Sequence, residues 1–204
     1  MSRYTGPRLK KMRGLATDLP GLSRKSTSSR PYPPGEHGNK RRGKDSEYKK
    51  QLQEKQKLRF NYGVHERQLR KLMKEARRSK TSTGEKLLQF LESRLDSVVF
   101  RSGLAATIPG ARQLVNHGHV RVNGQKVDVA SYRVKVGDVI ELKPKARNSA
   151  AIAECWKHPA HERPAWVNID THAMSARVDS LPTTEAMLFP IDINLVLEYY
   201  AKRM

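Results

Sequence analysis

Within a dozen residues the chain places Arg112, Gln113, His117, His119, Arg121 and Asn123, with no carboxylate among them. A guanidinium forks onto a phosphate, and Gln, Asn and neutral His reach ribose hydroxyls. Either histidine alone reads equally well as a helix-end hydrogen bonder. As a set beside arginines they read as one surface for a structured polyanion. Other chemistries find little support. Cys155, His158 and His161 stand three apart with His172 downstream, which matches no strong structural-zinc pattern, and no metal is expected. Nucleophile and P-loop signatures are absent, so no cofactor and no small-molecule substrate are expected. Cys155 is the sole cysteine, which excludes an intrachain disulfide and fits a reducing compartment.

The elements around that set are well marked. Thr107 to Gly118 reads as a short helix, with Thr107 as cap, Pro109 in the first turn and Gly118 as the left-handed terminator. His119-Val120-Arg121-Val122 alternates as a half-buried strand does, and Asn123-Gly124 is a strong hairpin-turn signal. Gln125–Val127 supplies the return strand. Tyr132–Val136 and Val139–Leu142 supply two more, joined at Gly137-Asp138. Upstream, Ser82 and Glu85 fit a capping box that opens a helix expected to run to about Arg101, with Gly103 as its end. The expected module is two helices packed on a small, bent antiparallel sheet.

Before it, Glu47 to Arg78 is helical in pattern and split at Gly63. Leu69, Leu72, Met73 and Ala76 form an apolar stripe, with a weaker one at Leu52, Leu58 and Tyr62. The opposite faces carry eleven cations, from Lys49 to Arg78, interrupted only by Glu54, Glu66 and Glu75. Solvated helix faces usually mix charge signs to gain pairs one turn apart, so this imbalance favours a phosphate-facing surface. Residues 1–45 are rich in Gly, Pro, Ser, Lys and Arg and show no helical or strand period. They are expected to form an extended basic arm that orders on RNA, with Tyr4, Tyr32 and the arginines stacking or pairing.

The whole-chain balance agrees. Of 204 residues, 40 are Lys or Arg and 20 are Asp or Glu, a formal net charge of +20. Residues 1–90 hold 25 of the cations against 8 acids, whereas residues 91–204 hold 15 against 12. A folded chain so charged repels itself until a polyanion neutralises it. No run of about 18 apolar residues exists to span a bilayer, and the N-terminus lacks a secretory core. Residues 150–204 are cut into short pieces by Pro159, Pro164, Pro182 and Pro190. Their apolar residues, among them Trp156, Trp166, Phe189, Ile193 and Leu197, are expected to return the chain to the first helices.

Several separated blocks together resemble one known family. They are Arg94-Leu95-Asp96, Ala111 to Val115, His117 to Gly124, Ser131-Tyr132 and Gly137-Asp138. Outside the module they include Met1 to Arg8, Pro33 to Gly38, Glu54 to Arg59, Tyr62 to Gln68 and Leu197 to Tyr200. In order and over nearly the whole chain they resemble small-subunit ribosomal protein four, in wording closest to cyanobacterial and plastid members. The resemblance implies a structural constituent of the small ribosomal subunit that binds the 5′ domain of 16S rRNA, nucleates assembly of the subunit body and contributes to translational accuracy. It implies small-subunit ribosomal proteins three and five as neighbours, no membrane partner, and a place on the ribosome in the cytoplasm or the plastid stroma. It implies RNA contacts at Arg94, Arg101, Arg112, Gln113, His117, His119, Arg121 and Asn123, and at Arg3, Tyr4, Arg8 and Lys55. Many bacterial relatives hold the N-terminal region with a cysteine-rich metal site, and this chain has no cysteine there to do so.

Two alternative readings fit the residues less well. Similar modules accompany pseudouridine synthases, whose catalytic aspartate lies in an Arg-Leu-Asp motif, but here Asp96 is followed by Ser97-Val98-Val99 rather than Thr-Ser-Gly, and no room remains for a catalytic domain. A free RNA-handling factor carrying the same module would tend to lack the matching arm. The expected fold is α+β: an extended basic arm over 1–45, a helical domain over 46–93 completed by 156–204, and the inserted small RNA-binding module over 94–155.

Overall fold

A computed structural model describes residues 4–40, 43–183 and 187–203 of the chain. Among these residues the elements in chain order are α1 (Arg8–Leu15), α2 (Glu47–Asn61), α3 (Glu66–Ala76), α4 (Thr83–Glu92), α5 (Leu95–Arg101), α6 (Ile108–Asn116), β1 (Val120–Val122), β2 (Gln125–Lys126), β3 (Val139–Leu142), α7 (Pro144–Arg147), α8 (Ala150–Lys157), β4 (Val167–Asp170), β5 (Ser175–Val178) and α9 (Ile193–Ala201). The fold is α+β. Two compact units divide the chain: one runs as far as Leu87 and resumes at Met187, and the other takes up the sequence between.

In the first unit α9 packs along α2. α2 has little apolar content, and its buried positions are Gln51, Lys55, Leu58 and Asn61. Polar groups buried in this way need partners. Gln51 donates to Glu198 at 2.9 Å, Lys55 pairs with Glu66 at 2.9 Å, and Asn61 accepts the Gly21 N–H at 2.9 Å. Tyr62 and Tyr200 are fully buried beside them. α3 follows its apolar stripe as expected, burying Leu69, Met73 and Ala76.

The arm departs from expectation. Arg8–Leu15 is helical, and Met12, Leu19 and Leu22 are buried although their spacing shows no period. Polar side chains supply the order that apolar mass could not. The Arg13 guanidinium donates to the Arg30 and Tyr32 carbonyls at 3.1 and 2.9 Å and lies over the Tyr32 ring. The Asp18 carboxylate gathers both hydroxyls of Ser26 and Thr27 and the Thr27 N–H, all within 2.9 Å. Burial pushes that carboxyl up, and these three bonds outweigh it, holding it below the ordinary carboxylate range.

The second unit is built on an antiparallel sheet of order β2-β1-β3-β5-β4. Its register sets Val122, Ile140, Ala176 and Ile169 in one cross-strand row, with Val120 opposite Leu142, on the buried face. α5 and α6 pack together. Every residue of α5 is buried.

Four sequence expectations are corrected here. The helix from Ser82 to Arg101 is two helices, because the backbone at 93–95 pairs instead with 132–134: Leu95 N–H donates to Tyr132 O and Val134 N–H to Ser93 O, both at 2.8 Å. For the same reason Tyr132–Val136 makes only an isolated bridge, Arg94 to Arg133, rather than a strand. Residues 156–183 do not join the helical unit. β5 pairs with β3, and the Arg163 guanidinium ties the segment to the end of α5 through the Ser102 carbonyl at 3.2 Å. Only the stretch from Met187 returns to the first unit. Finally, the return strand of the hairpin stops at Lys126.

Candidate nucleic-acid interface

The helix–hairpin junction forms as its signals indicate. Thr107 accepts the Gly110 N–H at 3.3 Å, and Gly118 takes a left-handed φ of 67° where α6 ends. Asn123 and Gly124, at φ 50° and 77°, make the two-residue turn. Gln113 and His117 share one face of α6, one turn apart, and both are exposed. His117 and His119 set their rings 6.1 Å apart, edge to face. His119 and Arg121 leave β1 on the face opposite Val120 and Val122. Gln113, His117, His119 and Arg121 are therefore brought to one surface.

A further residue belongs with them. Lys126 stands directly across from Arg121 in the β1–β2 register, and its side chain lies over Gly118. Like charges directly opposite on a hairpin are unfavourable on their own. The tight Asn-Gly turn alone puts residue 126 across from residue 121, so this pairing was within reach of the sequence. The acids nearby are Asp128, 3.4 Å from Lys126, and Glu141, opposite Arg121 on β3 and bonded to Arg147.

Other expected contacts lie elsewhere. Asp96, with no exposed surface, accepts from both Nε and Nη2 of Arg94 and of Arg112, at 2.6–3.0 Å. Arg94 is 7% exposed and Arg101, 3.4 Å from Glu92, is 3% exposed. Lys55 is likewise sealed, against Glu66 and under the Tyr199 ring. These three were expected at the surface and are framework cations in the folded chain. A motif shows which residues recur at a spacing, and burial decides which of them meet solvent. Arg112 is intermediate, with about a quarter of its side chain exposed (24%). Asn123 is engaged locally, donating to Asp138 and accepting from Val139 N–H.

On the arm, the Tyr4 ring meets Phe60 edge-on at 5.4 Å, and the Arg8 guanidinium donates to the Leu22 carbonyl at 3.2 Å, with both residues still exposed. Arg3 lies outside the described residues.

The helical cations divide in a way that sequence alone did not show. On α2, Lys49, Lys50 and Lys57 each find an acid on the same helix or just before it, Asp45, Glu47 and Glu54 respectively. On α3 and the residues after it, Arg67, Lys71, Lys74, Arg77 and Arg78 are exposed, and none pairs with a carboxylate among the described residues.

No group of three or more His, Cys, Asp or Glu among the described residues is arranged to hold a metal. His161 instead stacks on Phe100 at 4.4 Å. Burial, then the charges of Arg101 and Arg163, lower its pKa to about 4.

Comparison with known proteins defines the class first. Residues 3–92 match the model of the ribosomal protein S4/S9 N-terminal domain, and residues 93–140 match the S4 domain. Over its full length, and the full length of each relative, the chain is 54% identical to small ribosomal subunit protein uS4 of Methylobacillus flagellatus, 54% to uS4B of Nitrosomonas europaea and 50% to uS4 of a Synechococcus strain. The first two identities exceed the third, against the cyanobacterial kinship expected from wording. The chain belongs to the uS4 family of small ribosomal subunit proteins, a structural and non-enzymatic family.

Proposed function

We propose that this chain is a primary rRNA-binding protein that grips the 5′ domain of 16S rRNA, nucleates assembly of the small-subunit body and contributes to translational accuracy, with small-subunit ribosomal proteins three and five as neighbours. The observation that carries the RNA reading is the α3 face. Five exposed cations within about three turns pair with no carboxylate among the described residues, while the four lysines of α2 are all paired. Folding alone gives no reason for that difference, and phosphate neutralisation does. Gln113, His117, His119, Arg121 and Lys126 form the second contact, reading ribose and phosphate, with Arg112 at its margin. Tyr4, Arg8 and Arg3 serve the arm. Arg94, Arg101 and Lys55 act from beneath, holding the elements that carry the contacts, and Asn123 holds the hairpin turn.

Competitive binding tests the proposal: purified protein against the 5′ domain of 16S rRNA and an equally long unrelated structured RNA, at moderate salt. A large preference for the rRNA domain is the expected result. Equal binding to both sinks the primary-binder reading and favours a free factor held by charge alone.

A further inference from the structure

Between α2, α3 and α9 the first unit opens a cleft of about 560 Å³ whose walls carry Lys55, Arg59, Arg70 and Arg203 against the single carboxylate of Glu66. That carboxylate is already committed. Its two oxygens take Lys55 at 2.9 Å and the Tyr200 hydroxyl at 2.8 Å. Burial pushes the Glu66 carboxyl up, but these bonds and the charges of Lys55 and Arg59 hold it below the usual range. Burial and the Glu66 bond raise the Tyr200 phenol. The floor of the cleft therefore keeps a fixed protonation near neutral pH.

Three guanidiniums remain, and none of them forms a salt bridge among the described residues. They are nevertheless held in place: Arg59 donates to Gln56 at 3.2 Å, Arg70 to the Arg203 carbonyl at 3.5 Å, and Arg203 to the Tyr199 carbonyl at 3.4 Å. Like charges gathered in a concave site are repulsive until an anion enters, and pre-positioned guanidiniums favour oxyanions that accept two bonds at once. The aromatic surface is occupied. Lys55 and Arg203 lie 4.8 and 4.3 Å from the Tyr199 ring centre, and Tyr48 stacks beside it at 6.2 Å. A nucleobase finds no open platform there, whereas phosphate oxygens find donors.

We infer that this cleft is a phosphodiester site, taking one or two consecutive phosphates of an RNA strand through Arg59, Arg70 and Arg203. The inference rests on the RNA-binding function proposed above and adds a defined seat for the backbone.

The test measures the salt dependence of binding of the full chain to the 16S 5′ domain. Variants are the double Arg59→Gln/Arg70→Gln, the charge-retaining Arg59→Lys/Arg70→Lys, and Lys145→Gln/Lys157→Gln in the other unit for comparison. Each released phosphate contact changes the log–log slope by roughly 0.7–0.9. The glutamine double should flatten the slope by about 0.7–1.8, for one or two phosphates released, and weaken binding at least tenfold, on the same scale. The lysine double should keep the slope and bind more weakly than wild type. A slope change no greater than that of Lys145→Gln/Lys157→Gln, with wild type still preferring the rRNA, overturns the site and leaves an acidic protein segment as the occupant. If the glutamine double fails to fold, or if wild type shows no rRNA preference, titration of the wild-type chain with inorganic pyrophosphate decides. Saturable shifts of the Arg59 and Arg70 side-chain N–H resonances support the cleft, and their absence refutes it.

Discussion

Asp96 receives four hydrogen bonds from two arginines on different elements, plus the N–H of Ser97, while wholly buried. Removing one partner from a buried ionic cluster leaves the others uncompensated, at a typical cost of about 3–5 kcal/mol. Asp96→Ala is therefore expected to lose that much in urea unfolding, and a loss under about 1 kcal/mol would show the cluster to be dispensable. Arg112→Ala should lower the melting temperature as well as RNA affinity, whereas Arg121→Ala, which loses no ion pair among the described residues, should lower affinity alone. His161 gives a second expectation. Unfolded, it takes a proton near pH 6.5, but in the folded chain only near 4, so the unfolded state binds more protons between those values and stability falls as pH drops through them. Below about 4 the penalty is complete, and above 6.5 it is absent. His161→Phe should thus shrink the loss of melting temperature between pH 7 and 4.5 by several degrees, after discounting for the part of the ring that solvent reaches.

At the scale of elements, local signals succeeded where one turn or cap decided the geometry. The Gly118 terminator and the Asn123-Gly124 turn were legible because each rests on a left-handed backbone conformation that few residues tolerate, and the Thr107 cap because its hydroxyl accepts an N–H at the helix start. Gly124→Val should accordingly destabilise the second unit by about 1–3 kcal/mol, and Gly124→Asn by less, in matched unfolding curves. Illegible elements were those decided by distant partners. Nothing between Ser93 and Leu95 announces that its backbone pairs with 132–134 in place of continuing a helix. The strands at 167–170 and 175–178 carry short, weakly alternating patterns whose pairing with β3 is a tertiary fact. In the arm, Met12, Leu19 and Leu22 are too few for a period, and the order comes from Arg13 and Asp18. The candidate site was half legible for the same reason: residue types marked the donors, but burial separated Arg121 from Arg94. Met12→Ala should cost the arm about 2–5 kcal/mol, read as faster amide exchange at Gly21 and Leu22 with little change in the second unit.

Over the whole molecule, charge and architecture are divided alike. The chain to residue 90 holds 25 cations against 8 acids, and it also supplies α3 and most of the helical unit. Affinity for RNA should therefore fall steeply with salt, roughly 10³-fold or more between 50 and 200 mM if six or more phosphates are neutralised. A flat response would mean that charge is not what holds the complex. Deleting residues 193–204 should melt the helical unit, since α9 covers Gln51 and Lys55 on α2, and should leave the sheet-bearing unit with its own transition by calorimetry.

Because α9 completes a unit begun by α2, that unit cannot close until α9 has been made. From Asn61 to Ile193 the ribosome must add 132 residues, which at roughly 5–20 residues per second takes roughly 7–26 s. Through that interval α2 waits with its inner face uncovered while the intervening unit, contiguous in sequence, is free to fold ahead of it. Birth order and assembly order are thus reversed for the two units, and the protein's most basic helices stay open to RNA, chaperone or protease until α9 arrives.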